Sequence, residues 1–268
     1  MKIGGFLPTT LLDYPEKLAC TVFTCGCNFR CPFCQNGSLV LGAPSDVLDA
    51  STYQSSDILE RIGKRKNILE GVCITGGEPT LQKDLSDFLR EIKNLGLLVK
   101  LDTNGSRPDI VKSLYQEGLI DYVAMDVKSS KGNYSTVSGI SNLSIAVIEE
   151  SVEFLMHSGI AYEFRTTLVK GLHTYADMED IAAWLKGAEK YYLQSYEDSE
   201  QILYKLMPSS TDSTTHTASL ISTNSEKDLL SDNFTLQTFS TEELQQFLEI
   251  ARKTIPSAAL RGIEMPAS

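Results

Sequence analysis

Short apolar, β-branched runs recur along this chain, and most are followed by a stretch whose apolar positions return every three or four residues. Residues 18–24, 71–75, 97–101, 122–127, 162–169 and 191–194 carry the first pattern, which predicts buried strands. The second pattern predicts helices. Ile58, Leu59 and Ile62 follow the cap-like Ser55-Ser56-Asp57, and Leu85, Phe88, Leu89 and Ile92 form one face of a helix starting at residue 81. Val147, Ile148, Val152 and Leu155 come together over 143–157, and further helices are expected over 108–117 and 175–186. Residues 1–17 read as an extended lead-in with room for a short strand.

This alternation amounts to six β-α units with short connections, which argues for parallel strands joined by right-handed crossovers. A complete eightfold barrel uses about 250 residues of repeats, so an incomplete barrel and an open doubly wound sheet both remain. In either architecture chemistry gathers at the C-terminal ends of the strands. Periodicity then lapses. The segment 198–239 is rich in Ser and Thr and reads as a mobile insertion, before Ser240-Thr241-Glu242-Glu243 opens a helix carrying Leu244, Phe247, Leu248 and Ala251. Residues 258–263 would add a closing strand. The expected division is 1–197 as the barrel, 198–239 as the insertion and 240–268 as a helix and strand packed on the barrel.

The strand ends carry the polar motifs. Cys27, Cys31 and Cys34, spaced C-x3-C-x2-C, follow the first strand. Gly76-Gly77-Glu78-Pro79 follows the second, Asp102-Thr103-Asn104-Gly105 the third, and Asp126 and Lys128 the fourth. Three thiolates can hold three irons of a [4Fe–4S] cluster and leave the fourth open for chemistry. Structural zinc is the competing reading, with Cys25 as a fourth thiolate, although no second C-x2-C pair lies downstream. The Gly76-Gly77 pair lets a ligand approach the backbone, and Glu78 can accept from an amine.

Composition narrows the class. The chain has 268 residues, is 42% hydrophobic, has a net charge of −11 and contains six cysteines, five of them between Cys20 and Cys34. That crowding makes a poor disulfide framework and suits a metal site in a reducing cytoplasm. The acidic balance disfavours nucleic acid and anionic membrane as partners. No apolar run is long enough to span a bilayer, and no secretion signal is expected.

The three-cysteine loop after the first strand and Gly76-Gly77-Glu78-Pro79 after the second resemble the radical S-adenosylmethionine superfamily. Asp13-Tyr14-Pro15, the run from Gly26 to Cys34, Cys73-Ile74-Thr75, Asp102-Thr103-Asn104-Gly105, Asp126-Val127-Lys128 and Phe164-Arg165-Thr166-Thr167 are similar to the glycyl-radical-enzyme activases within it. The branch most like this chain is the anaerobic ribonucleoside-triphosphate reductase activating proteins. The resemblance spans residues 3–194. It implies a partial (β/α)6 TIM-like barrel, a [4Fe–4S] cluster on Cys27, Cys31 and Cys34, and S-adenosylmethionine held at its amino group by Gly76, Gly77 and Glu78. It further implies a monovalent-cation site from Asp102, Asp126 and the carbonyls of Thr103 and Ala124, with Lys128 and Arg165 toward the cofactor carboxylate and ribose. Reductive cleavage would give a 5′-deoxyadenosyl radical that abstracts hydrogen from a glycine of a partner, the anaerobic reductase being the expected one, with electrons from a flavodoxin- or ferredoxin-like donor. Cys20 and Cys25 are additions expected not to ligate. A radical enzyme acting on a small molecule, of the 7-carboxy-7-deazaguanine synthase type, is the alternative.

Overall fold

The computed structural model describes residues 1–41, 53–207 and 235–262. Most of the Ser/Thr-rich segment and the last residue of the expected closing strand lie outside the described residues. One sheet of eight strands follows chain order: β1 (Ile3–Thr10), β2 (Ala19–Thr24), β3 (Gly71–Gly76), β4 (Leu98–Thr103), β5 (Tyr122–Asp126), β6 (Ala161–Leu168), β7 (Tyr191–Ser195) and β8 (Ala259–Arg261). β1 pairs antiparallel with β2, whereas β2–β3, β3–β4, β4–β5 and β7–β8 pair in parallel. Parallel neighbours in chain order, with helices between them, give the partial TIM-like barrel core. The extended lead-in is therefore a full edge strand.

The helices are α1 (Gly37–Leu41), α2 (Ser55–Gly63), α3 (Leu85–Asn94), α4 (Pro108–Gln116), α5 (Tyr134–Ser138), α6 (Ile145–His157), α7 (Tyr175–Trp184), α8 (Leu203–Leu206) and α9 (Thr241–Arg252). Local chemistry sets several of their starts. Pro108 occupies the first turn of α4, where its missing N–H costs nothing. Thr174 with Asp177, and Ser240 with Glu243, form reciprocal capping boxes at α7 and α9.

The chain divides into two compact units, 1–28 with 38–127 and 146–164, and 29–37 with 128–145 and 165–268. In the first, β3 and β4 are buried on both faces. Val72, Ile74, Val99 and Leu101 alternate with Cys73, Thr75, Lys100 and Asp102, and the strand register sets Cys73 beside Lys100. α3 buries the four apolar residues of its expected face. In the second unit, Tyr175 and Phe239 flank Phe247 of α9, with ring centroids at 4.6 and 4.8 Å. Tyr191 is buried with its hydroxyl donating to Thr166 Oγ1 at 2.9 Å.

Candidate active site

In the first unit the ends of β2, β3 and β4 are bound to one another. Gly77 donates its N–H to the Thr24 carbonyl at 2.9 Å, and Glu78 donates to the Gly26 carbonyl at 2.8 Å. Gly76 has φ +111°, and a Cβ on Gly77 would overlap the Gly26 carbonyl oxygen. The close approach these glycines permit is thus that of the neighbouring strand's own backbone.

Glu78 is wholly buried, and its carboxylate takes four donors from the chain itself. Oε1 accepts from Thr80 N at 3.1 Å, Thr80 Oγ1 at 2.5 Å and Thr103 Oγ1 at 2.9 Å, while Oε2 accepts from Asn104 N at 2.7 Å. Burial pushes its pKa up, and the four donors work against that. The carboxylate expected to receive an amine also holds the β3 and β4 turns in shape. Asn104 extends this link to the cysteine loop. Its Nδ2 donates to Asn28 Oδ1 at 2.9 Å and lies 3.8 Å from Cys27 Sγ. Asp102 is paired with Lys100 of the same strand and accepts from Thr75 Oγ1 at 3.2 Å. Asp126 ends β5, whose register with β4 sets Ala124 beside Asp102.

In the second unit the cysteine loop 29–37 is braced through its backbone. Arg30 donates to the Ser138 carbonyl at 2.8 Å, beside the left-handed C-cap Gly139 of α5. Leu203 donates to the Cys34 carbonyl at 2.9 Å and Tyr204 to the Pro32 carbonyl at 3.0 Å. The buried Cys31 thiol lies 3.8 Å from the Ser138 carbonyl. Phe33 meets His173 edge-on at 6.5 Å, and His173 Nε2 donates to the Lys128 carbonyl at 2.8 Å while its Nδ1 accepts from Val169 N at 3.1 Å. One buried neutral imidazole so joins the cysteine loop to the backbone of Lys128. Arg165, on β6, belongs to the same unit.

The donor set suits an iron–sulfur cluster. None of the six cysteines is in a disulfide, and Cys27 and Cys34 are only part-buried. Cys20, by contrast, is fully buried with its pKa pushed up to about 12, and burial also raises that of Cys25, whose sulfur packs against Gly4. A thiol held protonated is a poor ligand, because the thiolate is what binds metal. Among the described residues no three His, Cys, Asp or Glu side chains are gathered as a ready-made metal cage. Lys100, His173 and the 201–204 turn are not singled out by sequence reasoning, and Asn104 only as one member of the Asp102–Gly105 motif. A lysine in mid-strand two residues before Asp102 was the available signal for one of them.

Residues 21–185 match the family model described as the radical SAM superfamily. The protein "Putative glycyl-radical enzyme activating enzyme MJ1227" of Methanocaldococcus jannaschii is 31% identical over 206 residues, covering 74% of this chain and 81% of that one. A 7-carboxy-7-deazaguanine synthase of Hyperthermus butylicus is 40% identical over 87 residues, 31% of this chain and 33% of that one. Among solved structures, a domain of the pyruvate-formate lyase-activating enzyme of Bacteroides vulgatus superposes with TM-score 0.51 at 20% identity, covering 72% of this chain and 99% of that one. SuiB of Streptococcus suis bound to S-adenosylmethionine gives 0.61 at 14% identity, over 89% and 49%. The chain belongs to the radical SAM superfamily. It is a radical SAM enzyme, with a [4Fe–4S] cluster and S-adenosylmethionine as its cofactors. Among the described residues no helix is long and apolar enough to cross a membrane.

Proposed function

We propose that this enzyme is a glycyl-radical-enzyme activase, whose partner is an anaerobic ribonucleotide reductase and whose electrons come from a flavodoxin- or ferredoxin-like protein in the cytoplasm. One observation carries the reading: the similarity to the Methanocaldococcus jannaschii activating enzyme runs through three quarters of this chain and four fifths of that one. When bound, the cluster and S-adenosylmethionine supply reductive cleavage and abstraction of a hydrogen atom from a glycine.

The chain's own residues hold and shield. Cys27, Cys31 and Cys34 would hold the cluster, and Phe29 and Phe33, both buried, would keep water from the sulfurs. The main chain of Gly76 and Gly77 receives the cofactor's amino group, in a turn that Glu78 keeps rigid through Thr80, Thr103 and Asn104. With the cofactor bound, Asp102 and Asp126 would set the charge on its carboxylate side, and Lys128 and Arg165 would serve its carboxylate and ribose, the roles that the resemblance implies. His173 fixes the backbone from which Lys128 projects.

The test is anaerobic reconstitution with the reductase, S-adenosylmethionine and a reductant, read by electron paramagnetic resonance (EPR). A glycyl-radical doublet on the partner is expected, with 5′-deoxyadenosine formed in step. Cofactor cleavage with no doublet on any glycyl radical enzyme would sink the activase reading. The small-molecule alternative, favoured by the 87-residue likeness to the Hyperthermus butylicus synthase, would then take its place.

A further inference from the structure

Lys100 is 2% exposed in the middle of a strand whose other face is apolar. An ammonium taken out of water is costly unless an opposite charge is held against it. Here that charge is Asp102. Two residues apart on β4, the two side chains leave the same face, so the strand itself brings them together. Lys100 Nζ also lies 3.8 Å from Cys73 Sγ, and Thr75 Oγ1 donates to the second carboxylate oxygen, Asp102 Oδ2, at 3.2 Å. Both oxygens of Asp102 thus face donors fixed on β3 and β4.

We infer that Lys100 is the built-in counter-cation of the cofactor site, taking against Asp102 the place a dissociable monovalent metal ion would occupy. This rests on the reading of Asp102 as a cofactor-side residue. An ammonium within hydrogen-bonding reach of Oδ1 leaves little attraction there for a second cation, since like charges a few ångströms apart repel strongly in a buried setting. Lys100 is a positioning residue. It keeps Asp102 aimed and screened, so the carboxylate of the incoming cofactor meets a balanced rim.

The experiment follows S-adenosylmethionine binding to the cluster-reconstituted full chain through the change in the reduced-cluster EPR spectrum. Choline, sodium and potassium chloride are compared at equal ionic strength. The wild type is expected to bind with apparent Kd values that agree within about twofold across the three salts. Lys100→Met is expected to bind at least about tenfold more weakly in choline and to recover most of that loss in sodium or potassium, the spread that one lost charge pair supports. A wild type that itself needs sodium or potassium overturns the inference, as does a Lys100→Met protein indistinguishable from wild type in every salt. Should that variant fail to fold, the wild-type salt series still decides. The double variant Lys100→Met/Asp102→Asn, with neither charge, is expected to bind weakly without a salt response, and a response there also overturns the assignment. A wild-type cluster spectrum unmoved by S-adenosylmethionine in any salt overturns the site reading instead, a result distinct from all of these.

Discussion

Leu203 donates its backbone N–H to the carbonyl of Cys34 at 2.9 Å, so a residue in the connection from β7 to β8 holds the third cysteine of the loop. Leu203 is the first residue of α8, and Ile202 before it is extended at φ −62°, ψ 130°. Proline is tolerated at such a position after such a residue. Leu203→Pro therefore keeps compatible backbone dihedrals while it removes the N–H and sets a ring carbon against the Cys34 carbonyl, so the brace is lost. Leu203→Ala is the control, because both variants lose the buried side chain. The hydrogen bond contributes about 0.5–1.5 kcal/mol. Leu203→Pro is expected to lose iron to a chelator about three times faster than Leu203→Ala, measured by the decay of cluster absorbance. Equal rates would show that the brace does nothing for the loop.

Gly77 has no room for a side chain, because a Cβ there would overlap the Gly26 carbonyl oxygen, a backbone atom that cannot rotate away. Gly77→Ala is expected to lower stability by about 1–3 kcal/mol, the usual range for overpacking. Gly132→Ala, where a Cβ meets nothing within 4 Å, is expected to change stability by less than about 0.5 kcal/mol. Urea denaturation of both variants checks the contrast. A Gly77→Ala protein as stable as wild type would mean that the β2 and β3 ends can part.

His173 makes stability depend on pH. Burial holds its pKa below the ordinary histidine value, and its two ring nitrogens are committed as donor to Lys128 and acceptor from Val169. Above about pH 6.5 the imidazole is neutral in folded and unfolded chains alike, and the full stability is present. Below that, the unfolded chain takes up a proton that the folded one resists. Stability then falls by up to about 1.4 kcal/mol per pH unit until the folded pKa is reached. Thermal unfolding between about pH 7 and about pH 5 is expected to show a steeper decline in wild type than in His173→Gln. Parallel curves would remove His173 as the source.

The apolar, β-branched runs and the period-3.6 patterns made the fold legible from residue 18 to residue 194, because β2 to β5 are buried along most of their length and helices such as α3 bury one face. The N-terminal strand was harder to see. Its glycines, proline and exposed Leu7, Pro8 and Thr9 break the alternation that marks a strand, and pairing with β2 decides the matter. The segment after residue 198 misled in part. Leu203 and Ile202 are fully buried within the second unit, but a four-residue helix is too short to leave a periodic trace among serines and threonines. At the site, the cysteines and strand-end motifs announced themselves by spacing. What spacing does not encode is which polar atom satisfies which. Glu78 met by four internal donors, and Lys100 laid against Asp102, follow from strand register.

Glu78 has a consequence in time. Its four donors come from Thr80, Thr103 and Asn104 at two adjacent strand ends, so the turn is ordered by the chain alone. A mould that already has its form leaves no slow rearrangement between encounter and capture. Rapid mixing of S-adenosylmethionine with the enzyme should then give a single phase whose rate rises linearly with concentration and does not level off.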